Sequence, residues 1–211
     1  MKLILVVLLA VFLTTADAAE TLEVEYASFY SHVKKLDDPE TNALRFAFGF
    51  WHIVHKRLCQ VTAAKIVTQK QQLPLVIESS GRFTVPLDKI LKMAKATVNI
   101  DLVDQANQCD MSVQLETLPK YLKTQYNNDE LLFLFSQYQS FFKDMGGFLS
   151  FMMPSVDGLN IMIEDEAELT DELKTMLKTD GALLLTQEWI SQGHALSLPQ
   201  KPLRITANID K

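Results

Sequence analysis

Glycine, proline and cysteine are scarce in this chain of 211 residues, which has seven glycines, seven prolines and two cysteines. The low glycine count argues against phosphate-binding loops, and the sequence has neither a G-x-G-x-x-G turn nor a Walker lysine loop. It also has no G-x-S-x-G elbow and no motif that places a Ser or Cys beside a His and a carboxylate. Because catalytic groups often converge from distant segments, these absences favour a non-enzyme without excluding an enzyme.

The composition is that of an ordinary folded chain, with 48% hydrophobic residues, 22% charged residues and a mean hydropathy of +0.06. These values exclude a disordered, collagen-like or polytopic membrane protein. The formal net charge is −6, and the basic residues are scattered, the densest group being His55, Lys56 and Arg57. Nucleic acid is not an expected partner, because a phosphate backbone is bound through clustered lysines and arginines. An anionic membrane surface is disfavoured for the same reason.

The first 18 residues have the three parts of a secretory signal peptide: Lys2, an apolar run over residues 3–13, and the tripeptide Ala16-Asp17-Ala18. The apolar run is too short for a retained membrane anchor, which needs about 20 apolar residues. We therefore expect a periplasmic or secreted protein without a transmembrane span, whose mature part begins at Ala19.

Both cysteines, Cys59 and Cys109, lie in the part that is expected to be exported. An even number of cysteines in an oxidising compartment favours a disulfide bond over two free thiols. A redox enzyme is expected to carry a C-x-x-C motif, whereas these two cysteines lie fifty positions apart. The pair therefore predicts a structural disulfide.

Alternation of apolar and polar residues with a period of two predicts several strands with one buried face. It is clearest in residues 44–50, whose even positions are all leucine or phenylalanine. Further strands are predicted at residues 73–77, 82–85, 98–102, 109–115, 159–163, 182–188 and 203–209. Turn residues separate the strand at 73–77 from the strand at 82–85, and the strand at 98–102 from the strand at 109–115. Each of these two pairs is therefore predicted to form a hairpin.

Apolar residues at helical spacing predict four helices, at residues 22–36, 87–94, 128–145 and 171–178. Because strands follow one another without a regular helix between them, the pattern indicates an α+β fold of mainly antiparallel sheet. The expected architecture is one domain over residues 19–211, with a few short helices and one aromatic-rich helix.

A weak internal match appears when the chain is shifted by 86 residues. Residues 73–96 then align with residues 159–182, and eight of the 24 positions are identical. One interpretation is an internal duplication, which divides the mature chain into related halves at 19–118 and 119–211. The other is chance, because a leucine-rich chain offers many alignments.

The histidines offer little evidence of a metal or catalytic site. His52 and His55 lie in a predicted strand, where a spacing of three places side chains on opposite faces. A metal site would need further ligands, and only His32, His194 and the two cysteines remain. We therefore predict structural or surface histidines, no catalytic residues, and no bound metal or other cofactor.

An acidic run at residues 164–172 is the other candidate metal site, because Ca²⁺ prefers several carboxylate oxygens. Its acidic members are Glu164, Asp165, Glu166, Glu168, Asp171 and Glu172. The run lacks the Asp-x-Asp-x-Asp-Gly spacing of a calcium loop, and acidic residues are also typical of a first helical turn. A solvent-exposed turn is the preferred interpretation.

Residues 131–153 are unusually rich in aromatic and methionine side chains, with six phenylalanines, one tyrosine and three methionines. Such side chains supply adaptable contact area, so the stretch is a candidate docking surface or apolar pocket. Its polar residues at 136, 137, 139 and 140 also fit one face of a core helix. The core interpretation is preferred, and the other stays open.

The chain resembles a family of uncharacterised exported proteins from marine gamma-proteobacteria, classified as a domain of unknown function. The resemblance is carried by the signal peptide, the segment at residues 25–30, the spaced Cys59 and Cys109, and the segment at residues 81–88. It implies a periplasmic or secreted bacterial protein, and it supplies no activity, ligand or site residue.

Three functional hypotheses follow. The leading one is a non-enzymatic module of the bacterial envelope that binds a protein, peptide or glycan through a strand edge or the aromatic helix. The second is a carrier of apolar ligands such as lipids, which uses the aromatic stretch to line a cavity. The third is a hydrolase whose site converges on His52, His55 or His194.

Overall fold

A computed structural model describes residues 20–146 and 155–209 of the chain. The predicted signal peptide and residues 147–153 of the aromatic stretch therefore lie outside the described residues. Within the two described ranges, no helix is both long and apolar enough to cross a membrane.

The described residues form twelve strands and five α-helices, which confirms the predicted α+β class. The strands are β1 (Glu20–Glu25), β2 (Leu44–His52), β3 (Arg57–Leu58), β4 (Val61–Val67), β5 (Gln72–Leu75), β6 (Thr97–Leu102), β7 (Cys109–Thr117), β8 (Gln125–Tyr126), β9 (Val156–Met162), β10 (Ala182–Thr186), β11 (Leu196–Ser197) and β12 (Arg204–Ile209). The α-helices are α1 (Tyr26–Val33), α2 (Lys89–Met93), α3 (Asn128–Gly146), α4 (Asp171–Lys174) and α5 (Gln187–Ser191).

The strands form four antiparallel sheets with the orders β1-β6-β4-β5, β3-β2-β7, β10-β9-β12 and β11-β8. Helix α1 packs on β2, and helix α3 packs on β9. The alternation predicted for residues 44–50 is observed, since the even side chains of β2 enter the core opposite those of β7, with Phe48 facing Val113. Buried residues from both ends of the chain belong to one continuous core.

Both predicted hairpins are wrong in their pairing. Strand β6 pairs with β1 and β4, and β7 pairs with β2, so these two consecutive strands belong to different sheets. Strand β5 pairs with β4, while residues 82–85 contribute a single bridge between Phe83 and Phe48. Alternation shows which face of a strand is buried, but the partner is decided by packing between distant segments.

The predicted helix at residues 22–36 is replaced at its start by strand β1. Leu22 and Val24 alternate with polar neighbours and lie opposite Ile100 and Val98 of β6. The helix begins at Tyr26, whose buried hydroxyl donates to the carbonyl oxygen of Pro86 at 2.5 Å. The spacing of apolar residues fits a strand and a helix equally well in such a short segment.

The predicted disulfide bond is present: the sulfur atoms of Cys59 and Cys109 lie 2.05 Å apart. Cys59 lies between β3 and β4, and Cys109 is the first residue of β7. The backbone N–H of Cys59 donates to Phe50 of β2, and Cys109 lies opposite His52 of β2, so the bond joins the two chain segments that flank the end of this strand.

The strand pairing in the two halves of the chain can be compared with the predicted internal duplication. In the first half β1 pairs with β6 and β2 with β7, and in the second half β8 pairs with β11 and β9 with β12. The shift of 86 residues instead aligns β5 with β9, and these strands differ in their neighbours. The duplication stays a prediction.

Candidate functional site

Two edge strands of different sheets, β7 and β12, lie side by side. Their Cα atoms approach within 8 Å. No backbone hydrogen bond joins them in the described part of the chain, where β7 pairs with β2 and β12 pairs with β9. We call this contact the junction. Because it lacks a backbone ladder, side chains must hold the two strands together.

Tyr138 of helix α3 bridges the junction. Its hydroxyl donates to the carbonyl oxygen of Ile205 in β12 at 2.6 Å and lies 3.0 Å from Oγ1 of Thr117 in β7. The side chain is fully buried, and burial raises the pKa of its phenol, so the group stays protonated. Since its one hydrogen goes to Ile205, the Thr117 hydroxyl donates to Tyr138.

Beside Tyr138 the junction opens into a groove of about 490 Å³, which we call the junction groove. Its walls come from α1 with the turn that follows it, β2, β7, α3 and β12. The apolar lining residues are Phe46, Val113, Leu115, Phe141, Phe142, Met145, Ala207 and Ile209. The groove can therefore bury an apolar group about as large as a fatty acyl chain.

The polar end of the junction groove is formed by His32 and Lys35. The His32 ring makes edge contacts with Phe46 and Phe48, at centroid distances of 5.5 Å and 6.0 Å. Burial, together with the neighbouring Lys35 charge, lowers the pKa of His32. His32 is therefore neutral at pH 7, and Lys35 supplies the positive charge at this end.

The aromatic stretch contributes to both the core and the groove. The buried side chains of α3 include Leu131, Leu134, Phe135, Tyr138 and Phe141, which supports the core interpretation. Phe142 and Met145, however, line the junction groove, and Leu132 and Phe133 are exposed. The core and pocket interpretations therefore each describe part of the same helix.

Helix α3 is held in place at its start and at its middle. Asn127 and Glu130 form a reciprocal cap, in which each side chain accepts from the backbone N–H of the other residue. The buried side chain of Gln137 accepts from the backbone N–H of Ala43 at 2.8 Å. These contacts fix the position of the Phe141 and Phe142 rings further along the helix.

The opposite face of the β2–β7 pair carries a buried polar cluster. The guanidinium of Arg45 donates to both oxygens of Glu78 at 2.7 Å and, through Nη2, to Glu116 at 2.6 Å. Burial raises the pKa of Glu116, and the charge of Arg45 opposes that rise. Arg45 and Glu116 face each other in register, so this contact stabilises the pairing of the two strands.

Arg82 crosses the same face from the loop after β5. Its guanidinium donates to the carbonyl oxygen of Ser112 at 3.2 Å and to the Ser112 hydroxyl at 3.1 Å. A Cβ on Gly49 would lie 3.3 Å from Cγ of Arg82, so the glycine makes room for this crossing. The side chain is 7% exposed, and burial lowers its pKa. We assign this cluster a structural role.

Comparison with known protein families identifies one match, over residues 18–163, to the family described as "Protein of unknown function (DUF2987)". The chain belongs to this family. No curated protein and no solved structure matches the chain. The predicted resemblance to an uncharacterised family is thus confirmed, while the bacterial origin and the export of the protein stay predictions.

The DUF2987 match covers most of the junction groove. It includes the residues of α1, β2, β7 and α3 that line the groove, while β12 lies beyond residue 163. The sequence pattern predicts a role for the aromatic stretch but none for His32 and Lys35. The signal for these two was their position in the last turn of α1 and directly after the helix.

The structure brings His52 and His55 together, so the prediction that they lie on opposite faces is wrong. Strand β2 ends at His52 and the chain turns, which places the two ring centroids 4.2 Å apart. Nδ1 of His52 accepts from the backbone N–H groups of Val54 and His55, at 3.3 Å and 3.2 Å. His52 is buried and serves to close this turn.

The remaining candidates also have local structural contacts. His194 stacks on Trp189, with ring centroids 4.9 Å apart. In the acidic run, Asp165 accepts from the N–H of Ala167, and Thr170 caps α4. Throughout residues 20–146 and 155–209, no three or more His, Cys, Asp or Glu side chains cluster as metal ligands do.

Asp104 gives the DUF2987 protein a measurable acid sensitivity. Arg57 donates to both of its oxygens and lowers its pKa from 3.8 to about 2. Since the folded carboxyl has the lower pKa, the ion pair stabilises the protein above about pH 4, and this contribution is lost between about pH 4 and pH 2. The urea midpoint should therefore fall less between pH 5 and pH 2.5 in Asp104→Asn than in the unmodified protein. An unchanged fall would contradict this assignment.

Proposed function

We propose that the protein is an exported, non-enzymatic carrier that binds an apolar ligand with an anionic end, such as a fatty acid, in the junction groove. The observation that carries the proposal is the groove itself, where eight apolar side chains from four separated segments converge beside one lysine. Its volume of about 490 Å³ is in the range of small-molecule sites.

The spacing of the junction favours a small ligand over an added peptide strand. Neighbouring strands lie about 4.8 Å apart, so a strand inserted between β7 and β12 would need them about 10 Å apart. Their Cα atoms approach within 8 Å. The facing edges are therefore too close to accept a third strand, whereas the groove beside them is open.

Two features support export. The disulfide bond between Cys59 and Cys109 is typical of oxidising compartments. The first 18 residues have the composition of a signal peptide. An exported carrier would meet apolar ligands at the cell envelope, where free lipids are poorly soluble in water.

Filling the groove tests the proposal directly. Ala207 is half-buried and lines the groove from β12. In Ala207→Phe the larger side chain should occupy ligand space and weaken fatty-acid binding at least tenfold. Delipidated protein is titrated with cis-parinaric acid, whose fluorescence rises on binding. Thr62→Phe, at an exposed position of β4, is the size-matched control. Equal affinity of Ala207→Phe and the unmodified protein would rule out the groove as the site.

The anionic end of the ligand is tested with two adjacent lysines. Lys35 lines the groove and Lys34 does not. Lys35→Gln should weaken cis-parinaric acid about fivefold, because an exposed charge pair contributes up to about 1 kcal/mol. Lys34→Gln should leave the affinity unchanged. The same substitutions should have no effect on the corresponding uncharged alcohol. An equal loss of affinity for cis-parinaric acid in both variants would show that Lys35 does not bind the carboxylate of the ligand.

A further inference from the structure

We infer that the protein docks on anionic lipid bilayers through a second surface, which we call the lysine patch. It consists of Lys70, Lys89, Ile90, Lys92, Met93 and Lys95. The sequence disfavoured an anionic membrane because basic residues are scattered along the chain. The fold changes this, because it places the turn that contains Lys70 across a cleft from helix α2 and from Lys95, which follows the helix.

Helix α2 presents apolar side chains to solvent. Asp88 caps the helix by accepting from the N–H groups of Ile90 and Leu91. Leu91 is the buried residue that attaches α2 to the core, whereas Ile90 is 75% exposed and Met93 is 72% exposed. Two large apolar side chains one turn apart therefore project from the surface, where water is an unfavourable environment for them.

A cleft of about 630 Å³ separates α2 from the turn between β4 and β5. Thr68 fixes this turn, because its hydroxyl oxygen accepts from the N–H groups of Lys70 and Gln71. Lys70 lines the cleft on one side and Lys95 on the other. The cleft can receive a lipid phosphate between two ammonium groups while Ile90 and Met93 enter the acyl region.

The patch is locally positive in a protein of net charge −6. Within the described residues, its four lysines form no ion pair within 4.0 Å. Lys92 lies over the Tyr30 ring at 4.9 Å. Among the acidic residues, Asp88 caps α2, and Glu25 lies opposite Thr97 in the neighbouring strand pair.

The apolar side chains decide between a bilayer and an acidic protein as the occupant. Lysines alone would complement either partner. Protruding Ile and Met side chains with lysines beside them are typical of proteins that insert shallowly into the interface of an anionic membrane. We therefore assign the patch to a bilayer that contains anionic phospholipid.

The contribution of lysine charge to membrane binding is tested by substituting two lysines that have the same backbone conformation. Lys95 and Lys56 both have positive φ, of 50° and 53°, which glycine adopts without strain. Lys95→Gly should weaken binding to vesicles of 30% phosphatidylglycerol in phosphatidylcholine about fivefold, since each lysine contributes about 1 kcal/mol at such a surface. Lys56→Gly, outside the patch, should bind as the unmodified protein does. Co-sedimentation with sucrose-loaded vesicles measures both.

The insertion is tested with Ile90→Ser/Met93→Ser, which should weaken vesicle binding at least tenfold. The matched control is Val103→Ser, a 57% exposed position beyond the opposite end of β6. The proposal would be overturned if the unmodified protein bound vesicles of pure phosphatidylcholine as tightly as vesicles that contain 30% phosphatidylglycerol. The proposal would also be overturned if the double variant bound the anionic vesicles as tightly as the unmodified protein and polyglutamate displaced both proteins from the vesicles equally well. That result would identify an acidic polymer as the partner.

The carrier function and the membrane-docking surface can be refuted independently of each other. The patch variants should bind cis-parinaric acid in the junction groove with unchanged affinity. Ala207→Phe should bind anionic vesicles normally. Loss of groove binding alone would remove the carrier function and leave the docking surface intact.

Discussion

Replacing both cysteines, as Cys59→Ala/Cys109→Ala, is expected to lower the free energy of unfolding by about 4 kcal/mol. The chain-entropy model gives this value for a bond that closes a loop of about fifty residues. The bond also joins the segments on either side of the end of β2, so its loss frees the start of β7 from the segment between β3 and β4. Urea unfolding monitored by circular dichroism measures the change.

Reductant supplies the control for this prediction. Dithiothreitol should lower the urea midpoint of the unmodified protein and leave that of the double alanine variant unchanged. If the midpoint of the unmodified protein did not move although thiol titration showed full reduction, the stabilising role of the bond would be refuted.

Gly158→Ala is expected to lower the free energy of unfolding by about 3 kcal/mol, the upper end of the usual cost of overpacking. Gly158 lies in β9, the central strand of its sheet, and an added Cβ would lie 2.1 Å from the carbonyl oxygen of Leu185. The obstacle is backbone of the neighbouring strand, so relief requires β9 and β10 to separate. Thermal and urea unfolding should both show the loss.

Gly49→Ala is the matched comparison for Gly158→Ala. A Cβ on Gly49 would lie 3.3 Å from Cγ of Arg82, a side-chain atom that can shift. We expect a cost of about 1 kcal/mol, because Arg82 can move by a few tenths of an ångström. Equal effects of the two substitutions would show that backbone crowding does not distinguish them.

The elements that could be predicted from sequence are those whose pattern is long and unambiguous. Strand β2 has four large apolar side chains at alternate positions, and α3 has apolar residues at helical spacing over about four turns. Strand β1 was missed because Leu22 lies four residues before Tyr26, which fits helical spacing, although its spacing of two from Val24 fits a strand. The pairing of β6 and β7 was missed because each strand finds its partner far away in the sequence.

The junction groove could not be predicted, because its lining residues are spread from His32 to Ile209. Sequence patterns showed that Val113 and Leu115 face inward, and they marked Phe141 and Phe142 as unusual. They carried no information that β7 and β12 lie side by side. The same holds for the lysine patch, which depends on the position of Lys70 relative to α2.

The bridge formed by Tyr138 has a consequence for ligand choice. In a continuous sheet, hydrogen bonds fix the distance between neighbouring strands. Between β7 and β12 this distance depends on one phenol and the packing around it. The two strands can therefore move apart slightly without breaking backbone hydrogen bonds between them. For the carrier function that we propose, we expect weak discrimination by ligand width, so that straight, branched and unsaturated chains bind with similar affinity.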